Sequence, residues 1–268
     1  MSAPPGLRLD SYLRRIAYGG PFEPTRSALE GLHLAHASHV PFENLDVLWK
    51  RTVRLDLDSL QLKLVDSGRG GYCFEQNLLF AAVLEAAGFA VRRLAARVRV
   101  RTTALLPRTH MLLLVEAQGR TWLCDVGFGA DGPLLPVPFG GGEEVRQFSW
   151  SYRVGEEEEG VRVLQLLRNG AWADQYAFTL EPQHLVDFEV ANYWTSTHPT
   201  SRFTTSLTAQ LPTPKVRKAL RNREWFEDRG AGATSRLVPD EDELRGLLTR
   251  EIGLRLPEGL PIPVPRET

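Results

Sequence analysis

Residues 110–127 read HMLLLVEAQGRTWLCDVG, and the way this stretch folds back on itself decides both the class of fold and the chemistry open to the chain. Two apolar runs flank Gln118 and Gly119, a pair suited to a tight hairpin turn because glycine tolerates positive φ. With those two residues as the loop, His110 lies opposite Gly127 and Leu112 opposite Asp125. Strand residues two apart share a face, so His110 and Asp125 become diagonal neighbours on it. A loop one residue longer would send Asp125 to the opposite face. Taken singly, an aspartate before VGFG reads as a turn residue and a histidine heading an apolar strand as a hydrogen-bonded structural one. Their joint arrangement is what points to chemistry.

Outward from the hairpin, the texture changes near residue 88. Before it the pattern is helical. Leu9, Tyr12, Leu13 and Ile16 fall on one face of a first helix, and Leu29, Leu32 and His36 mark a second after Thr25. Asp58 is placed to cap a third, SLQLKLVDSG, ending at Gly68, and a fourth runs from near Cys73 to Gly88. From about 89 to 190 short β-rich runs alternate with Gly, Pro or acidic turns, which fits an antiparallel sheet or small barrel. The remainder mixes strand-like RFTTSLTAQL with a terminal helix begun by PDEDELRGLL, where Pro239 and the acids after it suit a helix N-terminus.

One of only two cysteines sits in RGGYCFEQN, residues 69–77. Gly70 and Gly71 permit positive φ and close backbone approach, and Cys73 opens an amphipathic helix through Leu78, Leu79, Phe80, Val83 and Leu84. A sulfur at a helix N-terminus lies in a field that favours thiolate, the form that attacks carbonyl carbon. Packed core cysteines are equally common, so the thiol needs a base, and the hairpin offers His110. His33, His36 and His39 recur every third residue, but no cysteine or carboxylate completes a metal site, and they read as surface or helix-packing residues. His184 and His198 have no recognisable partner, the acidic run 156–159 reads as a solvated turn, and Cys124 as a core thiol.

Composition narrows the rest. The 268 residues are 43% hydrophobic and 24% charged, with 32 Lys and Arg against 33 Asp and Glu, giving a net charge of -1. Such a chain builds a substantial core and has no global attraction to nucleic acid or anionic membrane. The segment LLFAAVLEAAGFAV is short and carries Glu85, which argues for a buried helix over a membrane span. The N-terminus lacks the basic and apolar regions of a secretory signal, and two cysteines are too few for a disulfide framework, so a reducing cytoplasm is the expected compartment.

These residues resemble the arylamine N-acetyltransferases. RGGYCFEQN is similar to their nucleophile motif, THMLLLV to their histidine strand and DVGFG to their aspartate segment, in the family's order. HVPFENLDV (39–47), YLRRIAYGGP (12–21) and SRFTTSL (201–207) resemble family segments too, so the similarity covers nearly the whole chain. The resemblance implies Cys73 as nucleophile, His110 as its base and Asp125 as the residue orienting the imidazole. It implies an α+β fold with a cysteine-protease-like catalytic core: an N-terminal helical bundle (1–88), a central antiparallel β-barrel (89–190) and a C-terminal α/β lid (191–268). Phe42, Thr109, Phe128 and Phe203 fall where family members contact the acceptor, although core packing accounts for Phe42 and Phe203 equally well. Gly68 stands where relatives often carry a basic residue, and Cys124 where they often carry an aliphatic one.

The implied reaction takes acetyl from acetyl-CoA, with no metal, to the nitrogen of an arylamine or arylhydrazine or the oxygen of an N-hydroxyarylamine. Neither nucleic acid nor membrane is an expected partner, and the assembly is monomer or homodimer. Two enzyme classes share the chemistry. Amide synthases of the same fold use a carrier-bound polyketide donor, and papain-like or transglutaminase-like amidases use the same order of Cys, His and Asp. A non-catalytic binding module is the remaining alternative.

Overall fold

The computed structural model describes residues 5–102 and 104–265. The chain opens with helices α1 (Leu9–Arg15) and α2 (Arg26–His39), a two-residue strand β1 (Phe42–Glu43), then α3 (Leu45–Leu48), α4 (Leu57–Gln61) and α5 (Cys73–Ala86). Thr25 caps α2 by accepting from Ala28 N at 3.3 Å. The cap of α4 is Asp56, which accepts from Ser59 N at 3.0 Å, and not the expected Asp58. Asp56 has the extended φ/ψ of an N-cap, whereas Asp58 already lies inside the helix, which continues as a π-turn to Asp66 before Gly68 turns the chain at φ 62°. Every residue of α5 from Cys73 to Leu84 is buried, so α5 is a central helix with no solvent face.

Eight strands follow: β2 (Ala90–Val98), β3 (His110–Ala117), β4 (Arg120–Cys124), β5 (Val137–Pro138), β6 (Val145–Gln147), β7 (Trp150–Glu156), β8 (Arg162–Arg168) and β9 (Ala171–Phe178). They form one antiparallel sheet in the order β5-β4-β3-β2-β9-β8-β7-β6. Its two ends meet. The Gln147 side chain on β6 accepts from Leu134 N and Leu135 N at 2.9 Å and donates to Leu135 O at 2.8 Å, just ahead of β5, leaving a nearly closed barrel.

Alternation along β3 explains its unbroken apolar run. Leu112 and Leu114 point into the barrel with Leu94, Leu123, Tyr152 and Tyr176. Met111, Leu113 and Val115 point out and pack with Phe74, Leu79 and Phe80 of α5. A strand buried on both faces has no polar positions to alternate with.

The last part holds α6 (Leu185–Thr197), α7 (Arg202–Thr205), β10 (Thr208–Pro212), β11 (Arg217–Arg221), β12 (Glu224–Asp228), β13 (Ala233–Leu237) and α8 (Glu241–Gly246), whose N-cap is Asp240. Strands β1, β10, β11, β12 and β13 make a second antiparallel sheet in that order. The N-terminal segment therefore supplies its edge, with Phe42 opposite Gln210. RFTTSLTAQL is only half strand. Ser201 Oγ accepts from Phe203 N at 3.3 Å, and the Thr204 hydroxyl donates to Ser201 O at 2.8 Å, so local hydroxyl bonds hold a helical turn before β10 begins. Among the described residues no helix is long and apolar enough to cross a membrane.

Candidate active site

The loop before α5 is built by close contact. Gly71 N donates to Pro41 O at 3.2 Å and Glu43 N to Gly71 O at 3.1 Å, so residues 41–43 and 69–71 run side by side. A Cβ on Gly70 would fall 2.1 Å from Pro41 O, and one on Gly71 2.7 Å from a Glu75 carboxylate oxygen. Neither glycine adopts a positive φ; what they supply is the missing side chain. Arg69 closes the pair of segments with Nε and Nη2 on Glu43 Oε1 at 2.9 and 2.6 Å. Glu75 accepts from Tyr72 N at 3.0 Å and so starts α5, while Gln76 Nε2 donates to Gly71 O at 2.8 Å.

This delivers the buried Cys73 sulfur to the end of β3, 3.6 Å from Thr109 O. The expected hairpin register holds: Ala117 faces Arg120 and Leu113 faces Cys124 across a turn in which Gln118 (φ 51°) and Gly119 (φ 76°) both take positive φ. His110 and Asp125 therefore meet, both buried, with Nε2 2.6 Å from Asp125 Oδ2. That contact leaves Nδ1 for the Cys73 sulfur, which also interacts with the ring. The three residues singled out in the sequence converge on one point.

Further groups hold Asp125, and nothing in their sequence spacing to it marks most of them. Asn77, one helical turn after Cys73, donates from Nδ2 to Asp125 Oδ1 at 3.0 Å and Met111 O at 2.8 Å, and accepts from Val126 N at 3.2 Å. Gly127 N donates to Asp125 Oδ1 at 3.0 Å. A Cβ on Gly127 would lie 2.8 Å from Cys73 Cα, so this glycine lets the aspartate loop reach the nucleophile's helix. Asp125 N donates to His33 Nε2 at 3.0 Å. For Asn77 a signal existed, since i and i+4 on a helix share a face. His33 approaches from 92 residues away and left none.

Aromatic rings surround the centre. Phe128 stands edge-on to His110 at 5.0 Å, and Tyr176, on the distant strand β9, lies 4.7 Å from the same ring. Phe42 and Phe203 pair at 5.8 Å, with Tyr72 edge-on to Phe203 at 5.8 Å. Thr109 touches the sulfur through its carbonyl. Among the described residues no group of three or more His, Cys, Asp or Glu is placed to hold a metal ion. His36, buried, pairs Nδ1 with the Tyr12 hydroxyl at 2.7 Å, and His39 lies on the surface side of α2 with Nδ1 on Ala35 O.

Electrostatics fix the charge of the pair. Burial alone would lower the His110 pKa, but the Asp125 carboxylate outweighs it and Cys73 adds to it, raising the value to about 10. Asp125 shows the converse: burial would raise it, and His110 and the donors from Asn77 and Gly127 bring it below the ordinary carboxylate range. With a pKa raised from 6.5 to about 10, the His110 contribution to stability is complete below pH 6.5 and disappears as the pH rises towards about 10. Cys73 acts on the same ring, so the clean test uses Cys73→Ala. In that background the urea-unfolding free energy should fall with rising pH above 6.5, and adding His110→Gln should remove the fall. Identical pH profiles with and without His110 would show that no raised imidazolium exists.

A family model described as N-acetyltransferase matches residues 26–260. An arylamine N-acetyltransferase / N-hydroxyarylamine O-acetyltransferase of Salmonella typhimurium is 38% identical over 92% of this chain and 88% of its own. The solved arylamine N-acetyltransferase of M. tuberculosis superposes with a TM-score of 0.89 at 36% identity, covering 92% of this chain and 93% of that one. That of Mycobacterium marinum, determined in complex with CoA, superposes at 0.88 with 35% identity over 92% and 93%.

Proposed function

The chain belongs to the arylamine N-acetyltransferase family and is an acyltransferase, and we propose that it carries acetyl from acetyl-CoA to arylamines and arylhydrazines through an acetyl-Cys73 intermediate. The same intermediate serves the oxygen of N-hydroxyarylamines, an activity named for the Salmonella relative. The observation that carries the reading is the convergence of Cys73, His110 and Asp125, with the imidazole bonded to a buried carboxylate at 2.6 Å. Residues 1–88, 89–190 and 191–268 serve as three units supplying nucleophile, His–Asp pair and cover.

The steps follow from the charges. His110 takes the thiol proton on Nδ1, Asp125, bonded at Nε2, stabilises the resulting imidazolium, and Cys73 acts as thiolate. Sulfur attacks the thioester carbonyl, and the oxyanion formed is met by amides of the first turn of α5, in the positive end of the helix. Tyr72 N is already given to Glu75, so the donors lie beyond it. Collapse expels CoA as thiolate, which takes the His110 proton, leaving acetyl-Cys73 and a neutral imidazole. The amine nitrogen then attacks the acetyl carbon, His110 takes its proton, and the thiolate is regenerated. Weakly basic arylamines suit this step because they are unprotonated at neutral pH. Phe128, beside His110, and the Phe42–Phe203 pair are aromatic surfaces against which an acceptor ring would stack.

Parallel double-reciprocal plots for acetyl-CoA and amine are expected. So is a single acetyl adduct by intact-protein mass spectrometry when acetyl-CoA is given alone, discharged by 4-aminosalicylate. Intersecting lines would replace the covalent scheme with a ternary complex. Absence of an adduct on folded protein, with acylation by a carrier-bound thioester or hydrolysis of a peptide amide, would move the chain to one of the two other enzyme classes.

A further inference from the structure

We infer that His33 is a positioning residue for the Asp125–His110 pair, tying the Asp125 backbone to helix α2 and to the seam where the barrel closes. The inference rests on the proposed role of Asp125 in orienting His110.

The ring of His33 is wholly buried between α2 and α5, edge-on to Phe80 at 5.7 Å. Both of its nitrogens are bonded to backbone groups of opposite polarity. Nδ1 lies 3.0 Å from Leu134 O, which can only accept, so Nδ1 carries the hydrogen. Nε2 lies 3.0 Å from Asp125 N, which can only donate, so Nε2 is bare. Only the neutral Nδ1–H tautomer satisfies both bonds. Burial favours that form, lowering the His33 pKa to about 4 even though the Leu134 carbonyl and Asp125 oppose the shift.

The bond has work to do because of where it falls. The β3–β4 ladder ends at Leu113 opposite Cys124, so Asp125 N has no partner in the sheet. Without His33 it would be a buried donor left unpaired. Asn77 and Gly127 direct the carboxylate through Oδ1, and Asn77 also holds the next amide, Val126 N. His33 holds the amide of Asp125 itself. Leu134 is itself held, its N–H donating to Gln147 Oε1 at 2.9 Å where the two ends of the barrel sheet meet. Barrel closure, α2 and the aspartate are thereby one hydrogen-bonded chain. A small drift of Asp125 would lengthen its 2.6 Å bond to His110 and loosen the imidazole that faces Cys73.

The test compares His33→Met, which fills the site without an acceptor, with His33→Gln, whose amide can both accept from Asp125 N and donate to Leu134 O. His33→Met is expected to lose about tenfold to a hundredfold in kcat with the amine KM within about twofold, while His33→Gln stays within a few-fold of wild type. The His110 ring, followed by NMR, should titrate at lower pH in His33→Met than in wild type and recover in His33→Gln. Wild-type turnover and titration in His33→Met, or equal impairment in both variants, would overturn the inference. If His33→Met does not fold, folded His33→Gln decides alone: near-wild-type titration and turnover support the inference, and loss of either overturns it. The titration does not depend on turnover, so an inactive wild type whose His110 still responds to His33 would sink the proposed reaction and leave the positioning role standing.

Discussion

Cys73→Ala is expected to abolish acetyl transfer, with a loss on the order of 10⁶-fold in kcat, the scale for removing the nucleophile of a catalytic triad. The other cysteine cannot replace the sulfur. Cys124 is fully buried on the outer, helix-packed face of β4, and burial raises its thiol well above the ordinary value, so it offers no thiolate. The fold should survive. The side chain lost is one buried sulfur whose contact with Thr109 O, at 3.6 Å, is long, and the imidazole keeps its bond to Asp125. A stability change of about 1 kcal/mol, or a Tm lower by about 2–4 °C, is the expected size. The pair of measurements is turnover with acetyl-CoA and an arylamine, and a thermal melt of the same sample. Folded Cys73→Ala that still acetylates would remove Cys73 from the reaction and with it the proposed mechanism.

The triad was legible because each member sits beside a local signal. Gln118–Gly119 is a turn whose chemistry fixes register, and register fixes which residues share a face, so His110 and Asp125 could be brought together from spacing alone. Cys73 follows two glycines at the start of a helix. Groups that act through side-chain reach across large sequence separations were not legible. The Arg69–Glu43 clamp and the His33–Asp125 bond join elements by contacts that no periodicity encodes. The polar run Glu75, Gln76, Asn77 belongs to a helix expected to be amphipathic, yet all three are buried, one on the Tyr72 amide, one on Gly71 O and one on Asp125. Strand β1 escaped for another reason: two residues are too short for a pattern, and their partner β10 lies more than 160 residues away.

Asp125→Asn is expected to cost about 10⁴-fold in kcat at neutral pH, despite its near-identical shape. The hydrogen bonds decide how the new amide must sit. Oδ1 of Asp125 accepts from Asn77 Nδ2 and Gly127 N, both at 3.0 Å, and both are obligate donors. An amide turned to put its NH₂ there would set donor against donor twice in a buried site, at a cost of about 1–3 kcal/mol for each unpaired group. Its oxygen therefore stays on Oδ1, and its NH₂ takes the Oδ2 position, 2.6 Å from His110 Nε2 in the wild type. Facing a donor, Nε2 must be bare, and a neutral ring then carries its hydrogen on Nδ1, towards Cys73. The nitrogen that should receive the thiol proton is already occupied. The carboxylate, the largest contribution raising the His110 pKa, is gone as well, so burial dominates and the imidazolium is lost. Two readings separate this from a damaged fold: the variant should keep its thermal transition, and iodoacetamide labelling of Cys73 near neutral pH should slow sharply and recover as the pH is raised. Fast labelling with near-normal turnover in Asp125→Asn would mean that Asp125 is a structural turn residue and that His110 holds its proton by other means.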